Sequence, residues 1–257
     1  MEGDGDDYGG FAHDVGYGQA TFSYGALGDF DAFVYLPGNG YTAGMAKGFL
    51  NSLAKATGKR VIFVQLLENK GRKKYRYEDL EPKAYSDHIA KVIRKPGKYV
   101  MIGISMGCLH IANFAHYYPS WCYPVMIMLE PTIMQGIYPL LHAYEDGRGN
   151  GEWLADLKSK PNNLDIPDNE KVMDISIDKT NPIPNKMTIG VVYTSRSNTN
   201  EPYTPQQIQA KRRYYHYLSR HHKTYLLHLD TSHCIDTQPR YFQRVINFIQ
   251  RVLRVNA

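Results

Sequence analysis

The sequence predicts an α/β protein, a mostly parallel, doubly wound sheet flanked by helices on both faces. Three observations predict it. Short apolar runs of strand length alternate with longer segments of helical spacing along most of the chain. The runs are near-continuously apolar, as strands covered on both faces are. Finally, 43% of the 257 residues are apolar, enough for one sizeable core, so a single domain is expected over residues 21–257.

The elements follow in order. Residues 1–20 read as a flexible tail, because six of the first eighteen are Gly and the stretch is acidic. Gln19–Tyr24 alternates weakly, in the manner of a short edge strand. Asp31–Leu36 (DAFVYL) is a buried strand closed by Pro37-Gly38-Asn39-Gly40. Ala43–Ala56 carries helical spacing through Met45, Phe49, Leu50 and Leu53, with Gly58 placed to cap it. Arg60–Leu67 is the next strand. A helix is expected within Glu78–Arg94, starting near Pro82 and stopped by Pro96-Gly97. Strand Lys98–Ile104, helix Met106–Tyr118 and strand Tyr123–Leu129 follow.

Residues 131–185 break this rhythm. They are rich in Asn, Asp, Pro and Gly and read as a cap or lid inserted into the domain. The alternation resumes with strand Met187–Tyr193, helix Pro205–His221, strand Thr224–Leu229 and a final helix from Arg240. In that helix Phe242, Val245, Ile246, Ile249, Val252 and Leu253 form one stripe.

Composition removes several classes. Three Cys with no C-x-x-C pair exclude a disulfide scaffold, a zinc ribbon and a thioredoxin motif, and point to a reducing compartment. No run approaches 18 apolar residues, so no membrane span is expected. The acidic, Gly-rich start is unlike a signal peptide, which leaves a cytoplasmic location as the default.

The net charge is +5, unevenly spread. Residues 1–31 hold seven acids and no Lys or Arg, whereas residues 59–98 hold twelve bases and five acids. Residues 204–257 hold nine bases and two acids. The bases are dispersed along amphipathic segments, so they read as solvated helix faces and no specific nucleic-acid partner is expected.

In a parallel sheet the reactive groups stand just after the strands. Gly103-Ile104-Ser105-Met106-Gly107 follows one strand and opens a helix. Its two glycines permit a sharp turn that exposes Ser105, and the helix start offers N–H donors for an oxyanion. A serine nucleophile needs a base. Of the ten His, His233 lies in the loop Asp230-Thr231-Ser232-His233-Cys234 after a strand, while most of the others fall on helices. For the acid, Glu130 comes directly after Tyr123–Leu129. Glu201, an acid of the insertion such as Asp146, and a polar stand-in such as Asn198 are the alternatives. Backbone N–H groups of Asn39 and Met106 are the candidate oxyanion hole.

The strand–GISMG–helix element, the LPGNG loop before it and DTSHC after it resemble the α/β-hydrolase family. The order Ser, acid, His is similar too. The resemblance covers roughly residues 30–254. It implies an eight-stranded, mostly parallel α/β-hydrolase-type sheet with reduced early strands and a cap at about 131–185. It implies a serine hydrolase, esterase- or lipase-like, that cleaves a carboxylic ester or related acyl bond of a small molecule. The reaction would run through an acyl-enzyme on Ser105, with no metal and no organic cofactor. Two features depart from the pattern. Pro37 replaces the His common before the oxyanion Gly, and no Asp follows the penultimate strand closely. Lipase-like members with the acid one strand after the nucleophile support Glu130.

Two other readings compete. One is a non-catalytic binding or structural protein of the same fold. The other is a dinucleotide-dependent oxidoreductase, because Gly38-Asn39-Gly40-Tyr41-Thr42-Ala43 fits G-x-G-x-x-G/A and Glu68 follows the next strand.

Overall fold

The computed structural model describes residues 12–14, 27–38, 41–66, 82–131, 183–184, 186–196, 200–203 and 205–256. The regions around Gln19–Tyr24, Asn39, Glu68, Asp146 and Asn198, and nearly all of the expected cap, lie outside them.

The elements are β1 (Ala12–Asp14), β2 (Ala32–Leu36), α1 (Ala43–Thr57), β3 (Arg60–Val64), α2 (Pro82–Ile93), β4 (Tyr99–Ile104) and α3 (Met106–Tyr117). Then come a 3₁₀ turn (Pro119–Trp121), β5 (Cys122–Leu129), β6 (Thr188–Thr194), α4 (Pro205–His221), β7 (Lys223–Leu229), a second 3₁₀ turn (Ile235–Thr237) and α5 (Pro239–Arg254). The strands form one sheet in the order β1-β3-β2-β4-β5-β6-β7. From β3 to β7 every pairing is parallel; only β1 runs antiparallel, against β3. β1 falls inside the stretch read from sequence as a tail. The expected α/β class and mostly parallel sheet are those observed.

The continuous apolar runs have the cause inferred for them. β2 and β4 are buried at every position because helices cover both faces. On one face α2, α3 and Tyr214, Tyr215 and Leu218 of α4 pack on strand residues such as Val34, Met101 and Met126. On the other, α1 and the apolar stripe of α5 pack on Val100, Ile102 and Ile127. Burying a side chain such as Ile249 contributes about 1.5–3 kcal/mol before conformational entropy is charged against it. No helix among the described residues is long and apolar enough to cross a membrane. Cys108, Cys122 and Cys234 are all free.

The topology also selects where chemistry can occur. From β2 the chain steps outward to β3, then returns to β4 on the other side of β2. The order therefore reverses between β2 and β4, and the crevice beyond their carboxyl ends is the topological switch point.

Candidate active site

Ser105 stands at that switch point. It lies between β4 and α3 with φ 52° and ψ −121°, a conformation that costs a non-glycine residue roughly 1–3 kcal/mol. Its neighbours explain the turn. A Cβ on Gly107 would lie 2.2 Å from the carbonyl oxygen of Leu36 at the end of β2, and one on Gly103 would lie 2.5 Å from the carbonyl carbon and oxygen of Gly107. Only glycines let the start of α3 press against β2 and fold back on β4. The N–H of Ser105 donates to the Leu129 carbonyl at 3.0 Å, which locks the turn to the end of β5.

The loop after β2 stands beside the serine. A Cβ built on Gly38 would come 3.2 Å from Cβ of Ser105. Met106 opens α3, where first-turn N–H groups have no intrahelical acceptor. Asn39, the other expected oxyanion donor, is outside the described residues.

Glu130 follows β5, next to Ser105 across the parallel pair that ends Ile104–Leu129. Its φ is 45° and its N–H donates to the Val192 carbonyl at 2.6 Å. The carboxylate is buried and fully engaged. Oε2 accepts the backbone N–H of Thr194. Oε1 accepts the Tyr203 hydroxyl at 2.9 Å and pairs with the Lys211 ammonium. Oε1 also lies 3.9 Å from Nδ1 of His233, too long for a hydrogen bond but within ion-pair reach. Glu201 is exposed.

His233 reaches this carboxylate from the loop after β7, passing the end of β6. The loop is tied down: Thr231 Oγ1 donates to Gln238 Oε1 at 2.6 Å, and Gln238 Nε2 donates to Ser232 Oγ at 2.9 Å and the Cys234 carbonyl at 3.1 Å. Arg196 N–H donates to the Thr231 carbonyl at 3.1 Å and links the ends of β6 and β7. Burial, and after it the Lys211 charge, push the imidazole down to about 3; Asp236 acts in the other direction. The ring is therefore neutral at neutral pH, the form in which it can accept a proton.

Three residues of this neighbourhood escaped the sequence reading. Lys211 sits on the inner face of α4, burial pushes its ammonium down to about 7, and its Nζ pairs with Oε1 of Glu130. Its Nζ lies 3.7 Å above the Tyr203 ring. The signal was present: Lys211 stands three, four and seven residues before the buried Tyr214, Tyr215 and Leu218. Tyr203, the third partner of Glu130, is half-buried. Asp236, three residues after His233, is buried and accepts the Tyr35 hydroxyl at 2.6 Å. Burial raises its carboxyl to about 6, and its Oδ1 has no hydrogen-bond partner among the described residues. Among the described residues no group of three His, Cys, Asp or Glu could hold a metal ion.

This arrangement can be compared with known proteins. The sequence matches no protein-family model and no curated protein. The structure matches many solved ones. Mouse alpha/beta hydrolase domain-containing protein 10 superposes with a TM-score of 0.60 at 11% identity, over 90% of this chain and 92% of that one. A Bacillus megaterium epoxide hydrolase gives 0.59 at 12% identity, over 96% and 98%. A thioesterase of the prodiginine pathway of Streptomyces coelicolor gives 0.52 at 16%, over 86% and 85%. The fold is that of the α/β-hydrolases, and the chain spans it nearly end to end.

Proposed function

We propose that this protein is a serine hydrolase that cleaves a carboxylic ester or related acyl bond of a small molecule. The observation that carries the reading is the meeting of Glu130 and His233, with 3.9 Å between Oε1 and Nδ1, at the strand-end rim where Ser105 occupies a strained strand-to-helix turn. The pairing of Glu130 with His233 from a distant loop, at the rim that carries Ser105, supports the reading, since a packing role alone calls for no such pairing. The hydrolase neighbours support the class of reaction by fold analogy.

In this reading Ser105 Oγ attacks the carbonyl carbon, and its proton passes to His233 Nε2, the nitrogen turned away from Glu130. The oxyanion is held by the N–H of Met106 and that of Asn39. The imidazolium returns the proton to the leaving group as the carbon–heteroatom bond breaks, leaving an acyl ester on Ser105. Water, deprotonated by His233, then releases the acid. Glu130 orients the imidazole. No step requires a metal or organic cofactor.

A second reading is favoured by one observation. Lys211 takes the same oxygen of Glu130 that faces His233. A carboxylate neutralised in this way supports an imidazolium less, which suits a non-catalytic binding protein on the same scaffold.

Labelling with a fluorophosphonate, together with hydrolysis of p-nitrophenyl esters of graded chain length, separates the two. Labelling of the native chain that disappears in Ser105→Ala, with turnover lost in Ser105→Ala and His233→Ala, is the expected result. An unlabelled native chain that turns over no ester favours the binding protein.

A further inference from the structure

The opposite rim of the molecule carries a different signal. In this topology every strand from β2 to β7 starts, and every helix ends, on the rim away from Ser105. Strand starts bring Arg60, Lys98, Lys186 and Lys223 to it. Helix ends bring Lys55 and Arg251 with Arg254 on one face of the sheet, and Lys91, Arg94 and Arg220 on the other. Apart from the half-buried Arg60, these side chains are exposed. Against them stand Asp29 and Asp31, the described acids at that rim, and Asp31 already accepts the Lys98 N–H at 2.7 Å.

Helix dipoles account for part of this, since cations are favoured at helix C-termini. They do not account for cations at four strand starts between the two helical layers. Lys98 Nζ donates to the Ser120 carbonyl and Lys223 Nζ to the Val255 carbonyl, and Lys223 Nζ also lies 5.6 Å over the Tyr225 ring; a neutral carbonyl or ring cancels no charge.

We propose that this rim docks on an anionic phospholipid bilayer. The layout favours a plane over a strand of nucleic acid. The cations spread across a sheet six parallel strands wide, about 24 Å, and over the helices on both of its faces. A single-stranded polyanion would be tracked by one groove and would need open ring faces on which bases stack. Among the described residues of this rim, Trp121 packs edge-on to Tyr118 at 5.4 Å and to Phe114 at 6.3 Å, and the Tyr225 ring lies under the Lys223 ammonium at 5.6 Å. A half-buried Trp and the exposed Val255 on a basic rim instead suit the headgroup boundary. Docking in this pose turns the Ser105 rim toward the aqueous phase, so substrate would be taken from solution rather than from the bilayer.

Co-sedimentation of the full chain with vesicles tests this. Binding to phosphatidylcholine vesicles containing 30% phosphatidylserine, absent with pure phosphatidylcholine and weakening as NaCl rises from 50 to 300 mM, is expected. The variant Lys55→Gln/Lys98→Gln/Arg220→Gln/Arg251→Gln should lose roughly a thousandfold in partitioning. Lys47→Gln/Arg240→Gln, at the opposite rim, should stay within about twofold. If the quadruple variant proves unfolded by circular dichroism, the lipid and salt dependence of the native chain decides. Salt-independent binding, equal binding to neutral vesicles, unchanged binding by a folded quadruple variant, or binding to a 30-nucleotide single-stranded RNA without vesicle binding overturns the proposal. So does no binding to either. None of these readouts depends on Ser105 being a nucleophile.

Discussion

Glu130 serves Lys211 and His233 through a single oxygen: Oε1 pairs with the Lys211 ammonium and lies 3.9 Å from Nδ1 of His233. The carboxylate side chain is 1% exposed and that of Lys211 11%, so this is a buried ion pair. Its partners are geometrically arranged but in competition, and the balance between them sets both stability and proton affinity at the rim.

Removing the ammonium tests the stability half. Lys211→Met keeps the stem and its packing on Tyr203 but leaves a buried carboxylate without its cation. Breaking a buried pair from one side costs about 3–5 kcal/mol. The Thr194 and Tyr203 hydrogen bonds to Glu130 remain, so the lower end is expected. Urea unfolding should show a lower midpoint with an unchanged slope. A midpoint equal to that of the native chain would mean that Lys211 contributes nothing to holding Glu130.

The same substitution has a pH signature. In the folded protein His233 is pushed down to about 3 from about 6.5, so between these values the unfolded chain binds the extra proton. Stability is therefore present above about 6.5 and drains away as pH falls toward 3. In catalysis the base stays unprotonated over the same window, and the acid limb of kcat/KM for a p-nitrophenyl ester should lie below pH 5. Lys211→Met removes a positive neighbour, which eases protonation of the imidazole, so the limb should move toward neutrality. A native acid limb centred near 6.5, unmoved by the substitution, contradicts this electrostatic picture.

How much of this was legible beforehand follows from the range of the interactions. β4 and β5 could be read because helices on both faces impose near-continuous apolar runs within a few residues of chain. The Ser105 turn could be read because its two glycines answer to backbone contacts that no other residue tolerates. Glu130 could be placed by its position after a strand. Lys211 was hidden in a helix that also carries the exposed Arg212 and Arg220. Its burial depends on a carboxylate contributed by β5. Asp236 was further from view, since its hydrogen-bond partner Tyr35 is 201 residues away. Local pattern reports a covered face; it does not report which distant polar group lies across from it.

The glycine argument makes its own prediction. Gly107→Ala puts a methyl group 2.2 Å from the Leu36 oxygen and 2.7 Å from that of Pro37, both backbone atoms that cannot rotate away. The start of α3 must shift off β2. We expect a loss of about 3 kcal/mol, at the upper end of overpacking costs, and no fluorophosphonate labelling even where the variant remains folded. An alanine variant that melts with the native chain and labels at the native rate would show that the turn does not need the close approach.

Asp236 supplies a test with the opposite sign. Its carboxyl is raised to about 6 from 3.8, chiefly by burial, while the Tyr35 hydroxyl bond partly restrains the shift. Between these values the folded state holds the proton that the unfolded state has lost, so stability falls as pH climbs from about 4 through 6 and stays lower above. Asp236→Asn removes the charge while its amide oxygen still accepts from Tyr35. At pH 4 it should melt with the native chain, and at pH 8 it should be more stable by up to about 3 kcal/mol, the equivalent of a shift of about two units. Thermal melts at both pH values decide it. Equal gains at both would tie the effect to packing rather than to the ionised carboxylate. A loss at pH 8 would mean that the folded chain holds the ionised carboxylate favourably, against the burial that raises its carboxyl.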